Sequence, residues 1–197
     1  MSKRMLHLWI RAEQRTNEKR VGITPQDAAK LIHKGIKVTV EESAARIIST
    51  KEYHKIGCDV AKQNSWPEAP KDTIILGLKE LPEDIDRLEH KHIMFGHAFK
   101  GQTAGLKLLK KFKVGEGVLY DLEYLTDPKG KRLAAFGYWA GYAGAAVSLR
   151  AYADQQNTKG ICGPVSVFEN KEKMADDIRN AFVNIENKFP KILVVGA

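Results

Sequence analysis

Residues 73–78, TIILGL, run apolar without a break and pass straight into Lys79 and Glu80. A strand with one wet face alternates apolar and polar residues. A continuous run of this length belongs to a strand covered on both faces, as in a parallel sheet. Residues 92–98, HIMFGHA, form a matching run that ends around His97. Shorter strand signals at 6–10, 37–40 and 58–61 are interleaved with helix signals. Thr24 and Pro25 open a helix as cap and first residue, Ala28, Ala29, Leu31 and Ile32 supply its apolar stripe, and Gly35 ends it. Ser49 or Thr50 caps a shorter helix that Gly57 stops. This alternation through the first 115 residues predicts βαβ units, hence an α/β fold on a mostly parallel open sheet.

Further along, a polar, partly helical segment is expected between 79 and 91, and a helix from Gln102 or Thr103 to Phe112. A strand over 118–125 follows, then a type I turn at Asp127-Pro128-Lys129-Gly130 and a return over 132–136. Residues 136–155 read as one helix rich in glycine and alanine, and so many small residues imply an element packed closely against it. A loop over 156–170, a helix over 171–188 and the run KILVVGA at 191–197 complete the chain. The terminal run is either the opening strand of a dinucleotide-binding unit, with Gly196 as its first glycine, or a closing strand of the first sheet. The domains expected are 1–135 and 136–197.

Composition narrows the classes. The net charge of +8 raises the question of nucleic acid, but the densest basic run, Lys107, Lys110, Lys111 and Lys113, alternates with Leu106, Leu108, Leu109 and Phe112. That is the solvated face of an amphipathic helix, and no binding motif accompanies it. The charge equally suits an anionic small substrate. Cys58 and Cys162 make neither a disulfide framework nor a metal spacing. The N-terminal apolar run is too short for a secretory signal, and no stretch approaches the ~20 apolar residues that span a bilayer. A cytoplasmic protein is expected.

Ligands of open α/β sheets bind outside the carboxyl ends of the strands. That rule selects Arg11 and Glu13 after the first strand, Lys79 and Glu80 after TIILGL, and His97 and Lys100 after IMFGHA. If the last two strands are neighbours, Lys79 and His97 enter one crevice as an acid–base pair; the alternatives are a solvated lysine and a satisfied core histidine. Arg20, Lys131 and Arg132 are candidate carboxylate binders or surface residues. Asp121 and Glu123 alternate with Tyr120, Leu122 and Tyr124, which puts both carboxylates on one strand face, to balance the cations or simply to meet solvent.

The segments LHLWIRAE, EKRVGITP, KGIKVTVEES, TIILGLKELP, HIMFGHAFKGQ, GVLYDLEYL, KRLAAFGYWAGYAGAA and ILVVGA occur in this order. Together they resemble the NAD-dependent, L-lysine-forming saccharopine dehydrogenase family over nearly the whole chain. GLKELP with HIMFGHAFKGQ is the most specific part. LYDLEYL and AAFG favour this family over the related alanine dehydrogenase and transhydrogenase family, which shares the fold and a similar Lys/His pair. The resemblance implies a flavodoxin-like open sheet of the alanine dehydrogenase N-terminal type. A long inter-domain helix and the first strand of a truncated Rossmann domain would follow.

By the same resemblance the activity is NAD-dependent oxidative deamination of saccharopine to L-lysine and 2-oxoglutarate, in lysine biosynthesis. Lys79 then deprotonates the secondary amine and His97 serves imine hydrolysis. Arg20, Gln102, Arg132 and Phe136 contact substrate, Glu80 and Glu123 temper the positive site, and Lys131 and Gly196 lie on the NAD side. Lys131 replaces the family's usual arginine and loses its fork. Partners are the small molecules, with no nucleic acid or membrane, and the protein is a monomer. The family continues past the terminal strand, so this chain alone is expected to be inactive. The rivals are an alanine dehydrogenase-like enzyme, a non-catalytic carboxylate-binding module and a basic nucleic-acid binder.

Overall fold

The structure, a computed structural model, describes residues 5–15, 17–158, 160–185, 190, 191 and 193. The chain divides into two compact units, 1–134 and 135–197.

The first unit is built on six strands: β1 (His7–Ile10), β2 (Lys37–Glu41), β3 (Asp59–Ala61), β4 (Ile74–Leu76), β5 (Lys91–Met94) and β6 (Val118–Asp121). Their order is β3-β2-β1-β4-β5-β6 and every neighbouring pair is parallel. The order reverses between β1 and β4, the place where ligands of doubly wound sheets bind. Helices α1 (Pro25–His33), α2 (Thr50–Lys55) and α3 (Thr103–Gly115) cover the sheet.

Two apolar clusters explain the unbroken run in β4. Leu76 joins Leu8, Ile10, Val38 and Val40 on one face, where α1 contributes Ala28 and Leu31 and α2 contributes Tyr53. Ile75 joins Trp66, Leu88 and Phe112 on the other, where α3 contributes Phe112 and Leu108. Successive residues of one strand thus enter opposite layers, and neither can be polar. At the edge of the second layer Glu41, fully buried, accepts from Trp9 Nε1 at 3.1 Å and from the backbone N–H groups of Ala12, Asn64 and Trp66 at 2.8, 3.0 and 2.7 Å. One carboxylate thereby fastens the carboxyl ends of β1 and β2 to the loop that carries Trp66.

The helix starts follow the sequence chemistry. Thr24 caps α1 by accepting from Asp27 N at 3.2 Å, and Ser49 rather than Thr50 caps α2. Elsewhere the strands are shorter than expected. No helix forms between Lys79 and β5; Leu81, Ile85 and Leu88 instead lie along the second cluster in irregular chain. β5 stops at Met94, and His97 takes a left-handed backbone (φ 47°) that a ladder does not accommodate. The alternation expected for Asp121 and Glu123 fails for a local reason. Asp121 caps a 3-10 turn at Leu122–Tyr124 by accepting from Glu123 N at 3.0 Å, which ends β6 and redirects the chain. The type I turn forms, with Gly130 N donating to Asp127 O at 3.0 Å, but the return is a single bridge between Thr126 and Arg132 rather than a strand.

The second unit holds α4 (Gly137–Thr158) and α5 (Lys171–Phe182). Ala146 and Ala153 of α4 are buried, Tyr152 stacks on Phe182, and Arg150 bonds Asp177 across the pair at 2.6 Å. The expected close neighbour is not found at the glycines: a Cβ on Gly137, Gly141 or Gly144 would meet nothing within 4 Å among the described residues. Lys191 and Leu193 lie in no regular element, and the rest of the terminal run, Gly196 included, falls outside the described residues. Among the described residues no helix is long and apolar enough to cross a membrane.

Candidate functional site

The carboxyl edge of the sheet carries two clusters of cations, each organised by a carboxylate. The first lies at the reversal between β1 and β4. Arg11 leaves β1 with its guanidinium fully buried, donating to Ala12 O at 3.1 Å and to Lys79 O. Burial draws the Arg11 pKa down, against the nearby charges of Glu13, Glu41 and Glu80. Glu13 accepts from Leu78 N at 2.6 Å and Lys79 N at 2.9 Å, so Lys79 is reached from β1 through its own peptide groups. Gly77 makes this possible: a Cβ there would sit 2.3 Å from Arg11 Nε.

In the loop after β1, Arg20 grips Glu18 as a fork, Nε to Oε1 at 2.7 Å and Nη2 to Oε2 at 2.5 Å. That grip, against the opposing effect of burial, holds the Glu18 carboxyl below the usual carboxylate range, and the Lys79 charge is near enough to contribute.

The second cluster centres on Glu123, whose side chain is 11% exposed. Its Oε2 lies 2.8 Å from His97 Nδ1, and its Oε1 accepts from Lys100 Nζ at 2.7 Å with Arg132 Nη1 at 3.6 Å. The Lys100 bond, then the His97 bond, keep Glu123 below the ordinary carboxylate range against burial. The Phe95 ring lies nearly parallel to the His97 imidazole at 6.4 Å, and Asp121 accepts from Gly96 N at 3.2 Å. A cavity of about 470 Å³ opens beside this cluster, lined among others by Glu80, Phe95, His97, Gln102, Lys107 and Lys111.

The two clusters leave adjacent strands, since β4 and β5 pair and Phe95 N donates to Leu78 O at 3.2 Å just beyond them.

The family described as Alanine dehydrogenase/PNT, N-terminal domain, matches residues 9–143. The chain belongs to that family. Its curated relatives include saccharopine dehydrogenase [NAD(+), L-lysine-forming] of Schizosaccharomyces pombe, 42% identical over 97% of this chain and 54% of the relative. The enzyme of the same name from Candida albicans is 38% identical over all of this chain and 56% of the relative. The mitochondrial alpha-aminoadipic semialdehyde synthase of Rattus norvegicus is 35% identical over 83% of this chain and 18% of its own length. The chain thus spans about half the length of the saccharopine dehydrogenases it matches. Among solved structures, an L-alanine dehydrogenase superposes with a TM-score of 0.59 at 16% identity, over 79% of this chain and 43% of that one. A transhydrogenase from Sinorhizobium meliloti gives 0.54 at 21%, over 76% and 44%. At these identities the structures speak for the α/β fold of this family.

Against this frame of relatives, the positions of the sequence-selected residues are uneven. His97, Glu123 and Arg132 come together, and His97, Gln102 and Glu80 share the cavity. Lys79 does not line that cavity; its backbone N–H donates to Glu13 at 2.9 Å. Glu80 is exposed and bonded to Arg15 at 2.5 Å. Lys131 is exposed, with its N–H on Asp127 Oδ1 at 2.9 Å. Phe136 belongs to the second unit, exposed, its carbonyl accepting from Ala140 N at 2.8 Å. Glu18 was not selected from sequence, and the E-x-R spacing of Glu18 and Arg20 is the signal that could have found it. Among the described residues no G-x-G-x-x-G turn opens a helix, so they do not by themselves make a dinucleotide phosphate site.

Proposed function

We propose that this chain supplies the substrate side of a saccharopine dehydrogenase, an oxidoreductase that uses NAD and whose nucleotide-binding part lies outside these residues. The observation that supports the reading is that Lys79 follows β4 while the His97–Glu123–Arg132 group follows the neighbouring β5 and β6, in a chain with saccharopine dehydrogenase relatives along its length. Saccharopine is a secondary amine bearing several carboxylates. Arg20 and Arg132, with Gln102, hold carboxylates as guanidinium forks and an amide do. Glu80 and Glu123 keep the pocket from excess positive charge.

Lys79 takes the proton from the substrate's secondary amine. His97 moves the protons of imine hydrolysis. Glu123 at Nδ1 fixes the ring orientation and leaves Nε2 for exchange. Phe136 as a substrate contact, and Lys131 and Gly196 on the NAD side, complete the assignment on the strength of the resemblance. In this reading the protein acts in the cytoplasm on small molecules.

The test is a chimera in which this chain is fused in frame to the second half of the S. pombe relative, assayed for NADH formation with saccharopine and with alanine. Saccharopine-dependent turnover with no response to alanine supports the proposal. Preference for alanine replaces it with an alanine dehydrogenase reading, which the family description includes. Binding of 2-oxoglutarate or lysine without turnover, unaffected by Lys79→Met, points instead to a carboxylate-binding module.

A further inference from the structure

Beyond the end of the β4–β5 ladder, the Leu78 carbonyl accepts from Phe95 N at 3.2 Å. Lys79, the next residue, would leave its peptide groups to solvent. Instead the two charged residues that leave β1 take them. Glu13, its side chain 9% exposed, accepts from the consecutive N–H groups of Leu78 and Lys79 at 2.6 and 2.9 Å, and Arg11, its side chain fully buried, donates to Lys79 O. Arg11 Nη1 and Glu13 Oε2 are themselves 3.5 Å apart. Water at a strand end satisfies such groups at little expense, whereas burying a guanidinium and a carboxylate is unfavourable unless geometry is gained. What is gained is that both ends of the Lys79 residue are fixed by charge-assisted bonds. Gly77 gives up its side chain to let the guanidinium through.

We propose that Glu13, acting with Arg11, is a positioning residue that clamps the Lys79 backbone and so aims the Lys79 amine at the substrate's secondary amine. The proposal rests on the reading of Lys79 as proton acceptor. Arg11 and Glu13 touch no substrate; they act through the direction of the Lys79 side chain. A base displaced by about 1 Å loses on the order of 10²-fold in rate. Glu13→Gln keeps one acceptor oxygen and turns an amide NH₂ toward the second N–H, which loosens the clamp without removing it.

The experiment is a double-mutant cycle in the chimera: wild type, Glu13→Gln, Lys79→Met and the double variant, with kcat and KM for saccharopine. Glu13→Gln should lower kcat about tenfold with KM within about twofold, and should change nothing further in the Lys79→Met background. A Glu13→Gln loss of equal size in both backgrounds is a structural effect and overturns the proposal. Full activity of Lys79→Met overturns the underlying functional reading instead.

Labelling of the 197-residue chain decides positioning by a route that does not need activity. Competitive amine acylation, read by mass spectrometry, should show Lys79 reacting at least about threefold faster in Glu13→Gln, with Lys51 and Lys107 unchanged, because a released side chain samples solvent more freely. Equal Lys79 rates overturn the proposal. If Glu13→Gln does not fold, Glu13→Asp, which keeps the charge one methylene short, is read in the same way.

Discussion

His97 Nδ1 and Glu123 Oε2 lie 2.8 Å apart although His97 follows β5 and Glu123 follows β6. Two breaks in regular structure bring them together: the left-handed backbone at His97 and the 3-10 turn that begins at Leu122. The same carboxylate also holds Lys100 and faces Arg132, so one anion sets the direction of an imidazole and two cations.

Glu123→Gln should therefore lower kcat/KM for saccharopine in the chimera by about tenfold, because an amide holds the imidazole and Lys100 more weakly and leaves the cations unbalanced. Steady-state kinetics on the purified variant checks this. Glu123 sits below its ordinary range in the folded chain, so its stabilising bonds are complete above the unfolded carboxylate value of 4.5 and are lost as pH falls through the lower folded value. Acid melts of Glu123→Gln should accordingly be flatter below pH 4.5 than those of the wild type.

His92 gives a second acid response, over a different window. Its ring is buried against Trp66 at 5.0 Å and Phe112 at 5.4 Å, and Nε2 has no hydrogen-bond partner among the described residues. Burial, then the Arg11 and His90 charges, push its pKa from 6.5 to about 3. The unfolded chain takes up this proton first. The contribution of neutral His92 is therefore complete above pH 6.5 and is lost progressively as pH falls toward 3. The slope approaches about 1.4 kcal/mol per pH unit within that window. Urea midpoints measured from pH 7 to pH 4 should fall for the wild type and fall less for His92→Phe. Parallel curves for the two proteins contradict this account.

Gly77→Ala should destabilise the first unit by about 1–3 kcal/mol, since the new Cβ meets the buried Arg11 guanidinium rather than a flexible side-chain end that can move aside. Gly35→Ala is a useful contrast: among the described residues, its chain neighbours aside, nothing lies within 4 Å of a Cβ there, and the strain comes from its positive φ. Thermal melts of the two variants separate a steric from a conformational effect.

The layered sheet was legible in the sequence because burial on both faces leaves a compositional mark: Ile75 and Leu76 are both apolar because each enters a different cluster. The cap at Thr24 and the turn at Asp127 were legible because their chemistry is local. Glu123 was found for the wrong geometric reason. Period-two alternation put it on a strand face, whereas Asp121 ends the strand with its own side chain, a competition between side-chain and ladder hydrogen bonds that residue spacing does not record. The grip of Glu13 on Lys79 was out of reach for another reason. It depends on a loop folding back across 66 positions, and nothing in the loop's own composition names its partner.

The central claim is that adjacent strand ends deliver an amine and an imidazole to one substrate. It is tested most directly by kcat/KM for saccharopine in the chimera bearing His97→Gln, beside Lys79→Met. The account predicts a loss of about 10²-fold or more for each, the usual range for a missing acid–base group. A change of less than about threefold in either variant contradicts it.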